Sequence, residues 1–136
     1  MSLISPQEET VTMGNEEIAK ALFEAFAAKD DQDVRNLCAP DLRARQNNGT
    51  AMDLGTLLGF NRAVHGVIRD FRYEDAVRSA TVAGFVEEHV LRGTLPDGTT
   101  INLALCVVAD IHDGEITELR EYFDSASAAG LIAALR

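Results

Sequence analysis

Residues Phe85 to Asp124 limit what this chain can become more than any other stretch. FVEEHVLRGTLPDGTTINLALCVVADIHDGEITELREYFD reads as three strands joined by two tight turns. Phe85 to Leu95 and Thr99 to Ile111 flank Pro96-Asp97-Gly98, in which Pro pre-sets φ and Gly accepts a positive one. A second turn, His112-Asp113-Gly114, leads into Glu115 to Phe123, and Asp-Gly between β-rich runs is a strong hairpin signal. Side chains alternate across a strand, so Phe85, Glu87, His89 and Leu91 share one face while Val86, Glu88, Val90 and Arg92 share the other. Arg120, Tyr122 and Asp124 likewise fall on one face of the third strand. Glu87 and His89 stand mid-strand, where a purely structural inward face would be apolar. Polar groups pointing into a concave sheet predict a pocket.

The rest of the composition narrows the class. The chain has 136 residues, enough for one domain with a real core and too few for two. No apolar run approaches the ~20 residues needed to span a bilayer, and the first fifteen residues lack the pattern of a secretion signal. A cytoplasmic protein is therefore expected. A net charge of −10 argues against a nucleic-acid backbone or an anionic membrane as partner, since both demand clustered Lys and Arg. Cys38 and Cys106 have no metal spacing and sit among apolar neighbours, which predicts buried free thiols. No nucleotide-binding or metal-binding motif is present, so neither a cofactor nor a metal is expected.

In chain order, Met1 to Gly14 shows no sustained period and reads as a flexible arm before a single domain over 15–136. Asn15 is a candidate N-cap for a helix to about Ala28, with Glu16 and Glu17 favoured by the helix dipole and Ile18, Leu22, Ala25 and Phe26 at helical spacing. Asp30-Asp31 caps a second short helix with Val34, Leu37 and Cys38 as its buried stripe, halted at Ala39 by Pro40. Leu42 to Asn47 reads as a short strand. Thr56 or Asp53 opens a third helix, whose Gly59 and Gly66 suggest close packing against the sheet. Phe71 to Ala80 is a further strand, and Ala126, Leu131, Ile132 and Leu135 mark a short terminal helix. The order α-α-β-α-β-β-β-β-α predicts an α+β domain, a bent antiparallel sheet with helices closing its concave side.

This arrangement resembles the nuclear-transport-factor-2-like superfamily. Within it, the chain is most similar to the SnoaL-like polyketide cyclases and the limonene-epoxide-hydrolase-type enzymes. The resemblance covers roughly Glu16 to Leu135 and rests on the D-G-x-I-T-x-x-R-x-Y-F-D run from Asp113 to Asp124 and on Arg45-Gln46-Asn47. It implies a curved mixed sheet forming a cone, with three N-terminal and central helices and a short C-terminal one. It also implies a homodimer through the convex sheet face, where Val86 and Val90 would lie. The hydrolases work with an Arg and two Asp, helped by a Tyr and an Asn. Asp124 falls on the terminal Asp and Asn47 on the water-holding Asn, but Glu87-Glu88-His89 replaces Arg-x-Asp and Arg45 stands where the Tyr is expected. The cyclases resemble this chain in using a terminal-strand Asp as acid/base.

The expected chemistry follows from residue types. His89 with Asp124 as its carboxylate partner forms a general base near neutral pH; Asp124 in an apolar pocket is a base in its own right, its pKa raised. Asn47, Glu87, Tyr122, Arg45 and Arg120 are the candidate ligand-binding residues. Tyr122 in particular is placed to donate to an oxyanion, as Tyr does in ketosteroid isomerase. The reading is a cofactor-independent isomerase or cyclase acting on a small apolar carbonyl or polyketide-like compound. A non-catalytic module holding a ligand or partner chain in the same cone is the alternative, and a remodelled epoxide hydrolase the second.

Overall fold

The computed structural model of the chain describes residues 13–136, and the element order within them is the expected one. Helices α1 (Asn15–Ala27) and α2 (Asp31–Leu37) precede β1 (Cys38–Gln46); α3 (Leu54–Val67) leads to β2 (Arg69–Ala80), β3 (Gly84–Thr94), β4 (Thr100–His112) and β5 (Glu115–Phe123); α4 (Ala129–Ala134) closes the chain. The expected N-terminal arm lies, up to residue 12, outside the described residues. The strands form one mixed sheet in the order β1-β5-β4-β3-β2, with β1 parallel to β5 and every other pair antiparallel. Among the described residues no helix is long and apolar enough to cross a membrane.

Local chemistry sets the ends of most elements. Asp30 caps α2 by accepting from the Asp33 amide at 3.0 Å, and Asp53 caps α3 by accepting from Thr56 at 2.8 Å. Gly14, not Asn15, is the N-cap of α1. Cys38 is no part of a helical stripe. The helix ends at Leu37 and β1 begins four residues earlier than the periodicity predicts, because Cys38 and Ala39 are buried in extended backbone. Pro40 is tolerated there because the register with β5 breaks between Cys38 and Arg43 at the edge of the sheet. Cys38 and Cys106 are free thiols. Burial, reinforced by Glu115, pushes the Cys38 pKa up to about 12, which keeps it an unreactive thiol. Cys106 is only half-buried.

The glycines divide by their surroundings. A Cβ on Gly59 or Gly66 would meet nothing within 4 Å, so close packing against the sheet is not why α3 carries them. On Gly93 a Cβ would lie 2.3 Å from Ile68 Cγ2 and 2.8 Å from the Arg69 carbonyl oxygen, where β3 passes the α3–β2 junction. Ala at Gly59 and Gly66 is therefore expected to stabilise by up to ~1 kcal/mol each, while Gly93→Ala is expected to destabilise by about 1–3 kcal/mol through overpacking. Urea unfolding of the three variants checks both signs.

Two apolar clusters fill the concave side. One joins α1 to the sheet through Leu22, Phe23, Phe26, Phe85, Val107 and Leu119. The other brings Val64, Leu91, Leu103, Leu105, Ala128 and Leu131 together at the opposite end. A cavity of about 360 Å³ lies where the two meet, lined by members of both.

Candidate active site

The sheet register lays a mostly polar row across the concave face, and three of its members, Gln46, Val107 and Glu121, line the cavity. Arg78 pairs with Glu87, Glu87 with Val107, Val107 with Glu121, and Glu121 with Gln46, so one residue from each of the five strands shares the row. Alternation then turns all of these side chains to the same face. The row carries two hydrogen-bonded groups. Arg78 Nε donates to Glu87 Oε1 at 2.7 Å, and His89 Nδ1 is 2.6 Å from Glu87 Oε2. Gln46 Nε2 donates to Glu121 Oε1 at 3.1 Å.

Glu87 and His89 do point inward, as strand parity predicts, and are 1% and 2% exposed. The His89 ring is held edge-on by Phe23, with centroids 4.6 Å apart, and faced by Tyr73 at 4.4 Å. Both of those rings line the cavity. Among the described residues His89 Nε2 has no hydrogen-bond partner.

Asp124 is not the carboxylate that meets His89. It is exposed beyond the end of β5 and accepts from the Ser127 amide at 3.2 Å and its hydroxyl at 2.6 Å. Those bonds hold its pKa below the ordinary carboxylate value, the opposite of the raised value expected in an apolar pocket. The physical reason is parity. His89 pairs with Leu105 and Leu105 with Phe123, so Leu119, Glu121 and Phe123 of β5 face the hollow and the set Arg120, Tyr122, Asp124 belongs to the other side.

The remaining candidates sort in the same way. Arg120 lies on the convex face, bound to Asp110 by two contacts of 3.2 Å and to Glu118 at 3.2 Å. Tyr122 also lies there, its hydroxyl 3.5 Å from Asn48 Oδ1, beside Val90 and Cys106. Arg45 borders the cavity but is exposed and in register with Arg120, on the other side of β1 from Ala44 and Gln46. Asn47 spends its amide on the end of β5: Oδ1 accepts from the Phe123 amide and Nδ2 donates to the Phe123 carbonyl, both at 3.0 Å.

Glu121, Gln46 and Tyr73 are the cavity residues that the candidate set omits. Glu121 is the titratable acid in the cavity wall, and burial raises its pKa against the opposing hydrogen bond from Gln46 and the influence of His89. Burial, with Glu121 and Glu87 nearby, also pushes the Tyr73 hydroxyl far above its usual range. Tyr73 therefore keeps its phenolic proton near neutral pH, and Glu121 holds its proton to a higher pH than an ordinary carboxyl. A carboxylic acid of this kind can donate to a carbonyl oxygen; once ionised, it is a strong base with little solvation to lose.

Comparison with known proteins agrees with this architecture. A candidate polyketide cyclase from Pseudomonas putida KT2440 superposes with a TM-score of 0.74 at 21% identity, over 85% of this chain and 95% of that one. An LEH-like epoxide hydrolase from M. tuberculosis gives 0.70 at 20% identity, over 89% and 91%. TerC, co-crystallised with polyporic acid, gives 0.74 at 20%, over 88% and 98%. At such identities the likeness is one of fold. No curated protein sequence matches the chain. The sequence profile of the SnoaL-like domain matches residues 19–119, which runs from α1 to the cavity-facing Leu119 of β5. With most of its length matched and the cone built around one apolar hollow, the chain belongs to the SnoaL-like domain family, within the nuclear-transport-factor-2-like superfamily.

Proposed function

We propose that the protein is a small-molecule isomerase or cyclase that moves protons on an apolar carbonyl or polyketide-like compound with its own side chains alone. The observation that carries this reading is Glu121, a half-buried acid tied to Gln46 in a wall made mostly of Phe, Leu and Val side chains, which raises its pKa. The cavity volume suits a compound of two or three fused rings. Glu121 exchanges the proton α to the carbonyl, Gln46 fixes its carboxyl, and Tyr73 presents a phenol to the ligand oxygen. Asp124 serves the entrance to α4 and takes no part.

The test is deuterium uptake. Bicyclic and tricyclic ketones are incubated with the protein in D₂O, and label at the α-carbon is followed by mass spectrometry, with binding measured separately by saturation-transfer NMR. Exchange catalysed above buffer supports the reading. Binding without exchange across the panel would replace it with a ligand-holding module, and hydration of an epoxide with an intact carbonyl panel would favour the hydrolase.

We also propose that two copies associate through the convex sheet face. Val86, Val90 and Val108 turn that way, and Val77 is 62% exposed beside them. Sedimentation velocity is expected to give a dimer, and Val90→Glu a monomer with the same fold by circular dichroism. A wild-type monomer at micromolar concentration sinks the proposal.

A further inference from the structure

The end of α1 leaves a carbonyl that only the following turn uses, and α3 answers it with two side chains. Phe26 O accepts from the Lys29 amide at 3.2 Å and from Asn61 Nδ2 at 3.2 Å, and lies 2.8 Å from His65 Nε2. The last carbonyls of a helix lack intrahelical donors and recruit partners of this kind. Asn61 and His65 stand one helical turn apart on α3 and so reach the same group.

Because a carbonyl only accepts, Phe26 O settles which way the Asn61 amide is turned. Its NH₂ faces Phe26, and Oδ1 faces away. His65 is an Nε2–H donor for the same reason. The His65 ring stacks on Phe71 with centroids 3.9 Å apart, and Phe71 meets Tyr73 edge-on at 5.1 Å. Asn61 is thus held in a fixed orientation between α1 and the aromatic wall.

Asn61 is also on the cavity side of α3. Leu57, Phe60, Asn61 and Val64 recur at helical spacing, and all four line the cavity. Among the described helix residues that line it, Asn61 is the only polar one, whereas Glu121, Gln46 and Tyr73 belong to the sheet wall. Asn61 Oδ1 accepts no hydrogen bond among the described residues, and it is not sealed off; the enclosed atom without a partner is His89 Nε2. An open, unspent acceptor in an apolar wall is the kind of isolated polar group that orients a ligand.

We propose that Asn61 reads a hydroxyl on the ligand. The compound is a hydroxylated cyclic ketone, its reacting carbonyl at the sheet wall beside Glu121 and Tyr73 and its hydroxyl at the helical wall, donating to Asn61 Oδ1. An ether or a bare ring at that place brings no proton and leaves Oδ1 desolvated, which is how a site built to hydrogen-bond a hydroxyl rejects its analogues. The inference rests on the proposed role of Glu121 for which end of the ligand reacts, and its test is separable from that role.

Wild-type protein is titrated with α-tetralone, its isomers bearing a hydroxyl on the aromatic ring, and the matching methoxy compounds. Dissociation constants come from ligand-observed NMR at mildly acid pH, where each phenol keeps its proton. The preferred hydroxy isomer is expected to bind about 10-fold more tightly than its methoxy counterpart and the parent. In Asn61→Leu, which keeps the side-chain volume while His65 still serves Phe26 O, that preference is expected to vanish. A merely structural role for Asn61 would shift all the ligands together and leave the preference intact. Equal affinity of hydroxy and methoxy compounds for wild type overturns the inference without any variant, Oδ1 then meeting water only. A preference that survives Asn61→Leu, or a panel in which nothing binds, overturns it too. α-Deuterium exchange is followed on the same compounds. A hydroxyl preference without exchange keeps the role of Asn61 and removes that of Glu121; exchange without the preference does the reverse.

Discussion

Glu121→Gln is expected to bind a cyclic ketone as wild type does and to exchange its α-proton about 10²–10⁴-fold more slowly, the range for removing a positioned acid/base group. The amide keeps the shape of the carboxyl and can still accept from Gln46 Nε2, so the cavity wall is preserved. Only the titratable proton is lost. The same change is expected to stabilise the fold at neutral pH. Burial raises the folded-state pKa of Glu121 above its unfolded value, so the native state holds this proton more tightly than the unfolded one. Stability from that group is full below the unfolded carboxylate value and declines as pH rises toward the folded one. Gln carries no such decline. Thermal melts of both proteins at acid and neutral pH should therefore diverge as pH rises, with the variant the more stable, a trade of stability for function familiar at active sites. Equal exchange rates, or melts that diverge in the opposite sense, would remove Glu121 from the chemistry.

The second large effect concerns Glu87. Glu87→Ala is expected to destabilise the protein by about 3–5 kcal/mol, the cost of breaking a buried ion pair from one side. Arg78 is left at the sheet edge without its 2.7 Å partner, and His89 is left with both ring nitrogens unsatisfied in a wall of aromatic rings. The cost is that of orphaned groups, not the net worth of the pair. A triple variant, Arg78→Met with Glu87→Leu and His89→Phe, is accordingly expected to recover most of the loss, because buried ion pairs can often be exchanged for well-packed apolar residues. Guanidinium unfolding gives both numbers. A loss below about 1 kcal/mol for Glu87→Ala, the level of a surface ion pair, would mean that this network contributes little.

How much of this was legible beforehand depends on which interactions are local. The turns at Pro96-Asp97-Gly98 and Asp113-Gly114, the caps at Asp30 and Asp53, and the helical stripe of α1 are set within a few residues, and their elements lie where the pattern places them. Parity within β3 is equally local, so Glu87 and His89 could be assigned to one face. Parity within β5 divides that strand correctly too, but does not say which set looks inward. The signal was present. Leu119 and Phe123 bracket Glu121, whereas Glu118, Arg120, Tyr122 and Asp124 are mostly polar. The family resemblance, which sets Asp124 on the terminal Asp, points to the opposite face.

By itself the sequence determined the order of elements, the α+β class and the inward turn of Glu87 and His89, because backbone geometry and side-chain alternation act over short separations. Only the tertiary structure decided that Val107 joins Glu87 to Glu121 in one row, that Gln46 from the far edge steadies the acid, and that Asp124 remains outside. These depend on the register between strands distant in the chain. A one-residue slip reverses every face, and global packing alone selects among the registers.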